Sequence, residues 1–104
     1  METQSFAATE FAVTRWADKV GITKHGKLEG QLKKLYEEVD ELRDAIVAKD
    51  NAEMRDAIGD IMIVLTMISL LTDNDLRQCY YEAGQIVTKR KGHMTDDGIF
   101  VKEE

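Results

Sequence analysis

Apolar side chains recur at helical spacing through most of this chain. Over about residues 5–20, Phe6, Val13 and Trp16 fall near that period, with Phe11 and Val20 beside them, and Gly21 supplies a stop. The linker GITKHGK follows. It carries two glycines but not the GxxxxGK[ST] order of a phosphate loop. From about Leu28 to Ala48, Leu28, Leu32, Leu35, Val39, Leu42 and Ile46 alternate at spacings of four and three, the mark of a helix-packing seam. Asp50 or Asn51 breaks that helix and caps the next.

The third helix spans about Ala52 to Leu71. Met54, Ile58, Ile61, Leu65 and Ile68 form one apolar stripe, and the second half is apolar nearly all round. That makes it the most buried helix. Thr72, Asp73 and Asn74 form a turn, and a fourth helix spans about Asp75 to Lys91, ended by KRKG. The tail HMTDDGIFVKEE carries a turn at Asp97-Gly98 and a short IFV run, so it is extended or folds into a small hairpin. The pattern predicts an all-α fold: one four-helix, bundle-like domain over residues 1–104 with a short irregular or hairpin tail.

Composition narrows this picture. With 104 residues, 43% hydrophobic and 33% charged, the chain is globular, and the lack of proline suits long unbroken helices. The net charge of −6 argues against gripping a nucleic-acid duplex, which needs a basic face. Cys79 is the single cysteine, so no disulfide framework forms within the chain and a reducing cytoplasm is expected. The stretch METQSFAATEF lacks the basic and apolar regions of a signal peptide, and the run from Ile61 to Leu71 is too short to span a bilayer. No membrane association is expected.

Two acidic clusters change the picture more. On a wheel of the second helix, Gln31, Lys34, Glu38 and Glu41 share a stripe bordering the leucine seam. Glu38 and Glu41 are three apart, so both carboxylates reach one point. On the third helix, Glu53, Asp56 and Asp60 share a stripe that continues into Ile63, Val64 and Met67. Asp60 is therefore at least partly buried, where an unpaired acid is costly. Antiparallel packing brings the two stripes face to face. Carboxylates at that density raise one another's pKa unless a cation is present, and oxygen-only ligands suit Mg²⁺, or Mn²⁺. The plainer alternative is that these acids are solvated helix surface; for Glu37, Asp40 and Asp44 that is the reading preferred.

KLYEEVDEL followed by DAIGDIMIVL resembles the MazG-like nucleoside triphosphate pyrophosphohydrolases, of the all-α NTP pyrophosphatase superfamily, whose pattern is EExxE and then ExxD on the next helix. The N-terminal tryptophan helix, QLKKL and KRKGHMTDDGIFVKE extend the resemblance over nearly the whole chain, in the short form often carried by bacteriophages. The resemblance implies Mg²⁺-dependent hydrolysis of a nucleoside triphosphate, often a deoxynucleotide, to the monophosphate and pyrophosphate. Glu38 and Glu41 match the first motif, with Glu37 before them, and Asp60 closes the second. They are the metal ligands it implies, and one of the two glutamates orients or deprotonates the attacking water. Ala57 stands where ExxD has glutamate; Asp56, four before Asp60, can reach the same metal. That departure leaves room for a weak or silent member.

Candidates for holding the nucleotide are Lys34, by phosphate contact or else an ion pair with Glu38; Trp16, by base stacking or else as core; and Arg90 and Lys91, as a triphosphate clamp or else a favoured helix end. The seam and the apolar third helix exceed what one small bundle covers, so a homo-dimer or homo-tetramer is expected. Two rivals to the enzyme are a silent helical nucleotide- or protein-binding module and a purely structural helix-bundle dimer.

Overall fold

The computed structural model describes residues 5–103. The first four residues of the stretch read for a leader lie outside the described residues. The chain runs α1 (Phe6–Val20), α2 (Ile22–His25), α3 (Leu28–Val47), α4 (Asn51–Leu71) and α5 (Leu76–Val87), then β1 (Gly92–Met94) and β2 (Phe100–Lys102). The four long helices match the four expected. The single turn α2 lies in the linker GITKHGK. The fold is all-α apart from the terminal hairpin.

Local chemistry sets the helix ends. The Ser5 hydroxyl accepts the Ala8 amide, Asp50 accepts the Glu53 amide and Asp75 accepts the Arg77 amide, each capping an N-terminus. Gly21 ends α1 in the left-handed region at φ 92°, which glycine enters without steric cost. After α3, Lys49 adopts φ 56°; the Asp50 amide donates to the Ala45 carbonyl and the Lys49 amide to Ile46. This paired closure turns the chain within three residues and lays α4 antiparallel along α3. Asp73 and Asn74 repeat the motif after α4. α5 stops at Val87, short of the expected Lys91, so Lys89, Arg90 and Lys91 follow the helix instead of forming its last turn.

The tail is the hairpin that was one of two expectations. β1 and β2 pair antiparallel with His93 opposite Val101. Gly98, at φ 84°, takes the left-handed position of the connecting turn, and the Thr95 amide donates to the Ile99 carbonyl.

As expected, α4 is the central helix: it packs on α3 along its length and also touches α1, α2 and α5. Ala57, Val64, Thr66, Met67 and Ser69 of α4 are buried. Its two buried hydroxyls are satisfied within the helix, Thr66 donating to the Met62 carbonyl and Ser69 to the Thr66 carbonyl. Ala17 of α1 and Ala45 of α3 complete the core. No helix among the described residues is long and apolar enough to cross a membrane.

The leucine seam of α3 is rotated from its expected place. Leu28, Leu32, Val39 and Ile46 are 45–54% exposed. The stripe turned toward α4 is Gln31, Leu35, Glu38, Leu42 and Ala45, one position earlier at most turns. Ala45 and Ala57, both buried, keep both helix surfaces low where they meet. The turn brings Glu38 from the seam's border into the interface itself.

Candidate functional site

Glu38 is 4% exposed, a glutamate where a helix interface ordinarily holds an apolar residue. Its Oε1 accepts from Lys34 Nζ at 3.1 Å, one turn earlier on α3. Its Oε2 is buried with no hydrogen-bond partner among the described residues. An orphaned carboxylate oxygen in that position costs about 1–3 kcal/mol or more. It points to a missing partner.

Glu41 and Asp60 stand beside it. One carboxylate oxygen from each of Glu38, Glu41 and Asp60 lies within 4.8 Å of the others. Glu41 comes from the next turn of α3 and is exposed; Asp60 comes from the facing side of α4 and is half-buried. Thus α3 supplies two ligands at i, i+3, and the antiparallel turn supplies the third. All donors are carboxylate oxygens, which fits a hard divalent cation such as Mg²⁺ or Mn²⁺ and not a soft metal.

The electrostatics carry the same strain. Glu41 is held above the ordinary carboxyl range, first by its hydrogen bond with the Glu38 carboxyl and then by that group's charge. Asp60 is raised first by desolvation, then by the charges of Asp56 and Glu38. Lys34 is raised above 10.5, first by its hydrogen bond to Glu38 and then by the same group's charge. One lysine against three clustered acids, with a further contact to Glu37 at 3.8 Å, leaves the centre negative.

Asp56 lies outside the trio. It is exposed, one turn before Asp60 on α4, near enough to raise it. Ala57, at the departure from ExxD, is buried at 3%. A longer acid there would start from the α3–α4 interface, whereas Asp56 starts from the rim.

The other sequence candidates are dispersed. Lys34 joins the acids through its ion pair with Glu38. Trp16 is 50% exposed on α1, so it is not core. Arg90 and Lys91 are exposed beyond α5 and make no ion pair with these acids, and the Lys91 carbonyl receives the Glu103 amide beside the hairpin.

Sequence reading missed a groove of about 700 Å³ beside Asp60. Thr9 of α1 forms one wall, and α4 contributes Arg55, Asp56, Gly59 and Asp60. The available signal was Arg55 beside Asp56 and one turn before Gly59. Their common groove depends on α1, which a wheel of one helix does not include.

Residues 27–94 match the family model of the MazG nucleotide pyrophosphohydrolase domain. The match takes in both acid-bearing helices, α5 and β1, and leaves α1 outside. No curated protein and no solved structure matches the chain.

Proposed function

The chain belongs to the MazG nucleotide pyrophosphohydrolase family, and from that premise we propose that it hydrolyses (deoxy)nucleoside triphosphates to the monophosphate and pyrophosphate with a divalent cation, Mg²⁺ or Mn²⁺. The observation that carries this reading is the buried, unpartnered Oε2 of Glu38 within the Glu38–Glu41–Asp60 trio. A solvated acid surface does not account for it, because the oxygen is buried and its neighbours among the described residues are other carboxylates. A cation bound by these oxygens offsets their charge, polarises a phosphoryl oxygen and lowers the pKa of water.

Glu38, Glu41 and Asp60 are the proposed cation ligands, with the exposed Asp56 as a fourth carboxylate able to swing toward them. Glu41 is the proposed base. It is exposed to the approaching water, whereas Glu38 is buried and held by Lys34. Glu38 holds position through Lys34 and its burial. Water attacks the α-phosphorus in line, the bond from that phosphorus to the α–β bridging oxygen breaks, and Glu41 takes the water proton. Pyrophosphate leaves with the bridging oxygen. Lys34 sits at the rim, with its charge available to phosphate as well as to Glu38.

The test is pyrophosphate release from a panel of dNTPs and NTPs with Mg²⁺, Mn²⁺ or EDTA. Cation-dependent release that is lost in Asp60→Asn, with the helical circular dichroism spectrum retained, is the expected result. Absence of turnover on every triphosphate, with no cation-linked rise in melting temperature, refutes the enzyme and favours the silent module.

The assembly belongs to the same reading. The chain exposes 8537 Å², against about 5,900 Å² for a compact monomer of its mass. Its radius of gyration is 16.2 Å, against about 13 Å for a compact chain of this length. The terminal hairpin, which packs on no helix, contributes to that excess, and the outward seam of α3 contributes apolar area of the kind obligate interfaces bury. The outward seam of α3 is the proposed contact with a second copy. Val39→Lys is expected to shift sedimentation to a smaller species; an unchanged sedimentation coefficient rules that face out.

A further inference from the structure

We propose that Lys34 tunes the cation preference of this site: by holding Oε1 of Glu38 it leaves that carboxylate one oxygen for a cation, which shifts the preference toward Mg²⁺ and away from Ca²⁺. This rests on the cation centre of the hydrolase reading above. It makes Lys34 a positioning residue that acts through Glu38, separately from any contact with substrate.

The two oxygens of Glu38 are in unlike states. Lys34 Nζ lies 3.1 Å from Oε1. Oε2 is buried and has no partner among the described residues. Burial in the α3–α4 interface restrains the Glu38 side chain, and Lys34 stands one turn before it on the same helix. A hydrogen-bonded partner on one oxygen of a ligating carboxylate fixes the direction of the other. The Lys34 side chain is 54% exposed, and its second partner is the similarly exposed Glu37 at 3.8 Å. Glu41 is exposed and free to turn. Glu38 is therefore the acid of the trio whose oxygens the chain itself assigns.

The two cations differ in what they need. Mg²⁺ takes an octahedral set of oxygens at about 2.0–2.1 Å and keeps several waters. Ca²⁺ takes about six to eight oxygens at roughly 2.3–2.6 Å, and a glutamate offering both of its oxygens is a usual way to reach that number. Here Glu38, Glu41 and Asp60 each bring one oxygen into the cluster. That sparse set suits the ion that keeps its waters. For Glu38 to offer a second oxygen, Ca²⁺ and the Lys34 ammonium would have to share Oε1, and like charges at hydrogen-bond distance repel.

Mn²⁺ bound to the full chain, followed by electron paramagnetic resonance and displaced by Mg²⁺ or by Ca²⁺, tests this without substrate. Lys34→Met removes the ammonium and keeps the stem. Loss of its charge strengthens both ions and loss of its hold weakens both, so the ratio of the two displacement constants is the quantity read. That ratio is expected to move toward Ca²⁺ by about fivefold or more. Lys34→Arg keeps a charged donor for Oε1, and Glu37→Gln removes only the outer partner. Both should leave the ratio within about twofold of wild type. An unchanged ratio in Lys34→Met overturns the proposal and leaves the cation centre standing. So does a shift in Lys34→Arg equal to that in Lys34→Met. A shift of the same size but opposite direction in Glu37→Gln overturns it too, because the effect would then be one of net charge. Wild-type protein that binds no Mn²⁺ overturns the hydrolase reading and this assignment with it.

Discussion

Glu38→Gln separates a cation ligand from a structural acid. The change keeps side-chain shape and removes one charge from a site 4% exposed. Without a cation, the wild type carries the orphaned Oε2, a cost of about 1–3 kcal/mol. The Gln amide places N–H donors among acceptors, within the spacing that joins Glu38 to Glu41 and Asp60. That bond is itself the relief of the orphan, so only its net value, about 1 kcal/mol, is counted. Against this stands the ion pair with Lys34, whose side chain is 54% exposed; such a pair contributes about 0–1 kcal/mol. The net expectation in EDTA is about 0–1 kcal/mol of stabilisation. That is a melting temperature unchanged or raised by up to about 4–8 °C for a domain of this size. With Mg²⁺ or Mn²⁺ at a hundred times its dissociation constant, the wild type gains about 2.7 kcal/mol. The variant should gain less than a third of that. The stability order therefore inverts between EDTA and saturating cation. Thermal melts at one protein concentration, with and without cation, read this directly. A variant less stable than wild type by more than about 1 kcal/mol in EDTA refutes the argument from the orphaned oxygen. An equal cation response in both proteins refutes ligation by Glu38.

Two further predictions follow from the same centre. Asp60 and Glu41 bind protons more tightly folded than unfolded, so cation-free stability should fall as pH rises from the ordinary 3.8–4.5 range through their raised values, whereas cation affinity should rise over that window; melts and Mn²⁺ titrations across pH check both signs, and a cation-free stability that instead rises through that window refutes them. Ala57→Glu, which completes the ExxD pattern, is expected to destabilise the cation-free protein by about 1–3 kcal/mol through overpacking and buried charge, and to strengthen Mn²⁺ binding at least threefold; an exposed, neutral response would show that α4 does not face α3 at this position.

The four long helices, the Gly21 stop and the cap at Asp50 were legible because they are local: each acts on amides or carbonyls a few residues away, so the chain's order contains both partners. Ser5 and Asp75, expected as the first residues of their helices, are instead the caps just before them. The acid trio was legible in part for the same reason: Glu38 and Glu41 lie one turn apart on a single helix. Asp60 joined them through a three-residue turn that leaves antiparallel packing as the outcome.

The tertiary structure decided what periodicity alone does not encode. A wheel ranks stripes by hydrophobicity and therefore turned the leucine seam inward. The structure turned Glu38 and Ala45 inward instead and left Val39 and Ile46 half-exposed. The burial of Ala57 beside the exposed Asp56, and the groove that joins Arg55 to Gly59, likewise depend on how α3 and α1 approach α4. The sequence by itself determined the helices, their order and the set of acids. Only the packing determined which oxygen lost its water, because burial is a property of two surfaces and each helix carries just one of them.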